Sequence, residues 1–450
     1  MSVMKPLEDR IVDIDAYYEG VSSTSQDLAD RAVKATIHEF SRARGLCLRS
    51  QSRTVELMKK STNSGSPYFS KRREVVDATL PVSAWVEGSD AYQQLGVTTW
   101  KACAVLGWRG QEGGPNVEDV KQRVIWMFPF GINVCELQVY QPLIEVFQRF
   151  NLVPAWNGTS YVDERVTQLF DTKGNDLLVC TDFSRFDQHF GRAMQLGAFH
   201  ILEALLTDNV DSRNWLENVY PIKYSIPLAY DYGKIRYGNH GMGSGSGGTN
   251  ADETLAHRVL QYEVAQRNSQ RLNLNSMCLG DDGILSYPGI SIEAVVDSYS
   301  PHGLAMNEDK QSASVEDCVY LRRWHHRDYR PNGMCAGVYS TNRALGRLCE
   351  TERYLSPEEW NDKMVALRQL SILENVEFHP CREAFADYCM KGDRNRLGVD
   401  IPGFLDDLEH IVAEAMDDMP EFLGYTKSLE DFQPSSINDW WIVRYLRKKS

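Results

Sequence analysis

Two adjacent carboxylates behind a glycine, Gly280-Asp281-Asp282, lie between the apolar run Met277-Cys278-Leu279 and the strand-like stretch Ile284-Leu285-Ser286-Tyr287. Alone they read as a hairpin turn, because Gly and Asp both tolerate positive φ. Earlier in the chain, Leu177-Leu178-Val179-Cys180-Thr181 reads as a buried strand ending in Asp182, with Asp187 following where the chain leaves the strand. An aspartate directly after an apolar run is a poor choice for solubility alone. If these strands are neighbours, Asp182, Asp281 and Asp282 converge on one oxygen-rich pocket and repel one another. Two Mg²⁺ ions held ~3.5–4 Å apart, or Mn²⁺ in their place, would resolve the repulsion and form the clamp used for in-line phosphoryl transfer. The competing reading is three unrelated surface aspartates.

Between these elements lies Gly241-Met-Gly-Ser-Gly-Ser-Gly-Gly-Thr249-Asn250, directly before a stretch from Asn250 to Gln266 with helical spacing. Glycines let a backbone approach a ligand closely, hydroxyl and amide side chains recognise a sugar or phosphate, and a helix N-terminus favours anions. A flexible linker is the alternative. No GxxxxGK[ST] occurs, so this is not a Walker loop.

The elements that must position these groups are spread over 450 residues with 42% hydrophobic content, ample for a sizeable core. No run of eighteen apolar residues exists and the first residues carry charges where a signal peptide is apolar, so a soluble, non-secreted protein is expected. Ten cysteines include no CxxC pair, which excludes zinc-ribbon spacing and favours buried free thiols in a reducing compartment. A net charge of −14 argues against a wholly basic surface for nucleic acid but leaves room for an internal basic channel. Basic residues gather at Arg42, Arg44, Arg49, Arg53, Lys59 and Lys60, at Lys71-Arg72-Arg73, and from Arg322 to Arg327.

No repeat or clean linker divides the chain, which favours interleaved lobes. The helix over 250–266 presents Leu255, Val259, Leu260 and Val264 on one apolar face. Beyond residue 340 the pattern is helical: Ser356-Pro-Glu-Glu359 reads as a capped helix start before Trp360, Met364 and Leu367, and Phe404, Leu405, Leu408, Ile411 and Val412 form another face.

The order Asp182-x4-Asp187, Ser244-Gly245-x3-Thr249 and Gly280-Asp281-Asp282 resembles the palm of viral RNA-dependent RNA polymerases. The stretch Ser-Gly-Ser-Gly-Gly-Thr-Asn before Ala251-Asp252-Glu253-Thr254 is similar, more narrowly, to picobirnavirus and related partitivirus polymerases, whose genomes are double-stranded RNA. Further matches run from about residue 62 to 330. Thr62 to Tyr68 resembles the loop that admits template, Lys121 to Pro129 the basic fingers strand over the incoming triphosphate, Asn307-Glu-Asp-Lys310 a palm segment with a lysine near pyrophosphate, and Leu321-Arg-Arg-Trp324 the primer grip.

The resemblance implies an α+β right-hand polymerase with fingers, an antiparallel palm sheet flanked by helices, and a helical thumb. It implies a bridging N-terminal extension at 1–60, fingers at 61–175, palm at 176–190, a fingers insertion at 191–235, palm at 236–333, thumb at 334–437 and an aromatic, basic tail at 438–450. Asp182 and Asp281 would bind the metals with Asp282 in support, and Lys310 is a candidate proton donor to pyrophosphate. Lys121 and Arg123 would neutralise the triphosphate. Asp187, Ser244, Thr249 and Asn250 are candidates to sense the ribose. Many relatives have an asparagine four residues after the threonine, where this chain has Glu253, so which residue reads the sugar stays open. Ser64, Gly65, Pro67, Arg322 and Arg323 would contact template or primer. Expected partners are RNA template and product strands, nucleoside triphosphates and a viral capsid protein, with no membrane, inside the virion and in host cytoplasm. A reverse transcriptase and a catalytically silent RNA-binding or capsid-associated relative are the alternatives. The tail could fold back into the channel as a stacking platform or close the thumb as an ordinary helix.

Overall fold

Strands Ser312–Ser314, Leu178–Thr181, Asp282–Leu285 and Met277–Leu279, in that spatial order and antiparallel throughout, form the central sheet. The computed structural model describes residues 5–22, 24–111, 121–307, 310–350, 360–418 and 436–450. All four residues of Leu178–Thr181 are buried because both faces of the sheet are covered. Side chains alternate across a strand. Leu178, Cys180 and Ile284 therefore pack with Val162, Val166 and Leu169 of helix Thr159–Thr172, whereas Val179 and Leu285 face the larger core that includes helix Thr249–Arg267. Each such fully buried aliphatic side chain contributes about 1.5–3 kcal/mol.

Helix Thr249–Arg267 differs from the expected amphipathic helix: it is buried nearly all round. Helices Asp30–Glu39, Arg192–Leu205 and Ile292–Tyr299 and strand Met277–Leu279 enclose it. Its polar side chains persist because each finds a partner. Asp252 accepts the hydroxyls of Tyr140 at 2.7 Å and Tyr224 at 2.6 Å and pairs with Lys223 at 3.1 Å. Arg258 forks onto Glu39 at 2.8 and 2.7 Å, and Glu263 accepts from His302 at 2.8 Å and from the Ala29 amide at 2.8 Å. Three of these bonds, two to Glu39 and one from Ala29, tie the N-terminal segment to the centre.

Two further sheets are built from strands between Val82 and Arg236. One is the meander Val82–Glu87, Asp90–Leu95, Thr98–Ala102; the other orders Lys121–Met127, Ala104–Gln111, Leu228–Asp231 and Lys234–Arg236. The stretch 191–235 thus has two roles: Arg192–Leu205 packs on the central helix, while Leu228–Arg236 completes the second of these sheets. A hairpin of Asp317–Tyr320 and Arg323–His326, extended by Val338–Tyr339, leads to the C-terminal helices.

Those helices build a second core from Leu367, Leu370 and Leu373 of Asp362–Glu374 and Ile442, Val443 and Leu446 of Trp441–Arg447. The expected helix start at Ser356 lies outside the described residues. The described helix begins at Asp362, capped by Asn361, whose side chain accepts the Met364 amide at 3.1 Å. Trp441 and Tyr445 are committed to this core, the indole donating to the Leu373 carbonyl at 3.0 Å and the phenol to Asp387 at 2.8 Å. Of the two arrangements open for the tail, the thumb helix is the one observed.

Candidate active site

Gly283 pairs with Thr181 across the central sheet, which brings Asp182 and the Asp281-Asp282 pair to the same end of neighbouring strands. The turn carrying the pair is pinned from behind by one face of the central helix. Gly280 has φ +58°, a conformation that favours glycine. Its amide donates to Thr254 Oγ1 at 2.9 Å, and its carbonyl accepts from His257 Nδ1 at 2.8 Å. Burial pushes the His257 imidazole down to about 4, so the ring stays neutral with Nδ1 as its donor.

Asp182 is fixed through its backbone. Its N–H donates to Gln311 Oε1 at 3.1 Å, and its carbonyl accepts from the Gln311 amide and from the Asn307 N–H at 3.1 Å. Asp281 is exposed, yet desolvation by its surroundings raises its carboxyl, the Asp182 charge adds to the rise, and the Arg123 charge opposes it. Asp282 is pushed up to about 7, by burial first and then by Asp281, Cys180 and Asp182; its bond to Leu321 N–H opposes the rise. That bond, at 2.8 Å to Asp282 Oδ2, turns Asp282 toward the hairpin tip, where Leu321 and Arg322 both have positive φ.

Asp187 faces Glu253 as a carboxyl pair. Burial raises both, Glu253 further, so Glu253 holds the proton of the pair and hydrogen-bonds Asp187. Glu253 Oε1 is buried without a partner among the described residues. The sequence marked Glu253 as a departure; its partner was not legible.

The glycine loop is less a free cradle than a closely seated segment. A Cβ on Gly245 would lie 1.6 Å from the Trp126 carbonyl oxygen. Met242 N–H donates to the Asp187 carbonyl at 2.7 Å, and Ser244 Oγ accepts the Trp126 amide at 3.4 Å. Thr249 Oγ1 donates to the carbonyls of Gly243 at 3.3 Å and Ser246 at 3.2 Å. Asn250 Oδ1 accepts the Trp156 indole N–H at 2.8 Å, which commits its oxygen to the scaffold and leaves its amide nitrogen near Gly280.

Arg123 stands exposed on its strand with its charge acting on Asp281 and Asp187; the Lys121 side chain lies outside the described residues. Lys310 is exposed, its backbone tied to the Asn307 carbonyl at 3.0 Å. Arg322 is exposed and its charge reaches Asp281. Arg323 is buried, bidentate to Asp163 at 2.8 and 3.2 Å and donating to Gly337 O at 3.1 Å, so its guanidinium braces the hairpin. Ser64 is only 1% exposed, with its hydroxyl accepting the Ser70 amide at 3.2 Å. Gly65 packs on the Phe128 carbonyl and Pro67 follows a cis peptide; Tyr68 and Phe69 form the exposed edge of that loop. Thr254, His257 and Gln311 carried no signal in sequence, because their roles exist only once strands and helix are packed.

Among the described residues, no three His, Cys, Asp or Glu side chains form a ready-made metal cage. Mg²⁺ is ordinarily held by one or two carboxylates together with substrate phosphates, so Asp182 beside the Asp281-Asp282 pair fits divalent cations without such a cage.

A central antiparallel sheet presenting Asp182 beside Gly280-Asp281-Asp282, with a glycine loop leading into the central helix, defines a right-hand nucleic-acid polymerase. Residues 14–338 match the family model described as viral RNA-dependent RNA polymerase, and the chain belongs to that family. It is 57% identical to the potential RNA-dependent RNA polymerase of human picobirnavirus (strain Human/Thailand/Hy005102/-) over 100% of this chain and 85% of that protein. The crystal structure of the RNA-dependent RNA polymerase of a human picobirnavirus superposes with a TM-score of 0.94 at 56% identity, and its insertion loop deletion mutant with 0.93 at 55%. Both comparisons cover 100% of this chain and 85% of the other. The enzyme is a nucleotidyltransferase with the fingers, palm and thumb of that fold.

Proposed function

We propose that this polymerase replicates and transcribes a double-stranded RNA genome by adding ribonucleotides to the 3′-hydroxyl of a growing strand. The juxtaposition of Asp182 with Asp281 on paired strands carries this reading. Asp182 and Asp281 would hold two divalent cations, Mg²⁺ or Mn²⁺, and these supply activation of the 3′-hydroxyl and neutralisation of charge at the α-phosphate. Asp282 supports them by holding the hairpin tip through Leu321. Arg123, with Lys121 on the same strand, meets the triphosphate, and Lys310 lies on the segment that leads to the pyrophosphate side.

The Asp187–Glu253 pair, the free amide nitrogen of Asn250 and the loop from Ser244 to Thr249 face the ribose. The Asp187 carboxylate offers an acceptor and the Asn250 amide nitrogen a donor, which together match the 2′-hydroxyl. Arg322 steers the product strand, and Gly65, Pro67 and the exposed edge beside them guide the template. We assign the extension to 1–60, fingers to 61–175 and 191–235, palm to 176–190 and 236–333, thumb to 334–437, and the closing segment to 438–450. Capsid protein is the expected partner, with synthesis inside the virion and in host cytoplasm; no described helix is long and apolar enough to cross a membrane.

Primer extension on one RNA template tests this, with ribonucleotides or deoxyribonucleotides and with Mg²⁺, Mn²⁺ or chelator. Ribonucleotide incorporation that chelator abolishes is expected. Incorporation of deoxyribonucleotides alone would replace the reading with a reverse transcriptase.

A further inference from the structure

Helix Phe130–Arg149 carries a buried acid that the chemistry above does not use. Glu136 is 0% exposed, and its bonds converge on the glycine loop. Oε2 accepts the Ser246 hydroxyl, and Oε1 accepts the Gly247 amide at 3.2 Å and the Asn133 side-chain amide at 3.1 Å. Asn133 Nδ2 also donates to the Gly245 carbonyl at 3.1 Å, and its Oδ1 accepts from Arg72 at 2.8 Å. Ser246 Oγ in turn accepts the Gly248 amide at 3.0 Å. Four consecutive loop residues therefore hang on one helix face.

Spacing explains why a single face serves. Asn133, Glu136, Leu137 and Tyr140 follow the i, i+3, i+4, i+7 pattern that aligns side chains on a helix. Leu137 and Tyr140 floor the loop under Gly247 and Gly248. A loop needing only packing could rest on apolar groups. A buried carboxylate is costly unless fully bonded, so its presence here points to a demand for a defined loop shape. Burial pushes the Glu136 carboxyl up, while the Lys223 charge and the three bonds pull against that rise.

The far end of this network reaches the template side. Arg72 closes the loop that begins at Thr62, its amide donating to the Thr62 carbonyl at 3.0 Å, and its guanidinium is buried with Nε unpartnered among the described residues. Both loops also rest on the segment that leads into the helix: the Phe130 amide donates to Ser64 O at 2.7 Å, and the Trp126 amide to Ser244 Oγ at 3.4 Å.

We propose that Arg72, Asn133 and Glu136 are positioning residues for nucleotide selection: they hold the ribose-facing loop in shape and join it to the template-side loop, without touching nucleotide or metal. The proposal rests on the reading that the Ser244 to Thr249 loop faces the sugar. The full chain on a primed RNA template tests it, through KM and kcat for ribonucleotide, the ribo-to-deoxy ratio of kcat/KM, template affinity and Tm. Glu136→Gln keeps the shape but turns an N–H toward a loop donor. It is expected to raise KM and lower the ratio about tenfold each, the scale of one charged hydrogen bond, with template affinity and Tm held. Ser246→Ala removes the same bond from the other side, so the double variant should be no worse than either single one. If Glu136→Gln does not fold, Ser246→Ala decides alone. Arg72→Gln should also raise KM; a change confined to template affinity would remove Arg72 from the network. Folded Glu136→Gln and Ser246→Ala proteins with unchanged KM and ratio overturn the proposal. Thr249→Val separates the two failures: if it alters the ratio while those variants do not, only the network is wrong; if it too does nothing, the sugar-facing reading fails and the network with it.

Discussion

Asp282 Oδ2 accepts the backbone N–H of Leu321 at 2.8 Å, which ties the Asp281-Asp282 turn to the tip of the following hairpin. The second aspartate of the pair is thus a brace, whereas Asp281 is exposed. Asp282→Ala should therefore cost about 10–100-fold in activity, the usual effect of losing a group that supports metal ligands. Asp281→Ala should reduce incorporation to background. Steady-state primer extension with both variants checks the ranking; equal losses would contradict it.

Arg322 and Arg323 are neighbours with opposite duties. Arg323→Met leaves Asp163 buried without its bidentate partner, an effect of about 3–5 kcal/mol, so Tm should fall markedly. Arg322→Ala should leave Tm in place and weaken binding of primed RNA, most clearly at low salt. Thermal melts and salt-dependent binding titrations measure both.

Acid should loosen the hairpin through His325. Its Nδ1 donates to the Cys335 carbonyl at 2.8 Å, and its Nε2 is buried with no partner among the described residues. Burial and the Arg323 charge push it down to about 4. The folded value lies below the unfolded one of about 6.5, so this stability is complete above pH ~6.5 and is lost as pH falls toward 4, on the order of 3 kcal/mol. Melting curves from pH 7 to 4.5 should show the loss, and His325→Gln should flatten it.

Glu374 gives the opposite slope. Burial raises it to about 8, against the amides of Trp441 and Ile442 that it accepts at 3.4 Å each. Its folded value lies above the unfolded one, so the thumb is most stable below pH ~4.5 and loses up to a few kcal/mol as pH rises to 8. Hydrogen exchange in the closing helix should quicken from pH-corrected rates at 6 to those at 8, and Glu374→Gln should suppress that change.

The juxtaposition of Asp182 with Asp281 was legible in the sequence because its elements are short and local: an apolar strand that ends in Asp182, and a glycine turn that ends in Asp281. Arg323 was not, since a pair of arginines in a hairpin gives no sign of which one points inward. The positive φ values of Leu321 and Arg322 and an aspartate 160 positions away decide it. The burial of Ser64 was not legible for the same reason, being set by the Phe130 and Ser70 contacts. The helix after the glycine loop looked amphipathic from Leu255, Val259, Leu260 and Val264, but distant partners hold Asp252, Arg258 and Glu263 inside the core as well. The tail aromatics suited either a stacking platform or a core, and only packing against Leu373 distinguishes the two.

The central claim is that Asp182 and Asp281 together form the site of nucleotide transfer. Measuring ribonucleotide incorporation and RNA binding side by side for the native enzyme, Asp182→Asn and Asp281→Asn tests it most directly. RNA binding close to native, with incorporation lost, is expected of both variants. Native-like incorporation by either variant would contradict it.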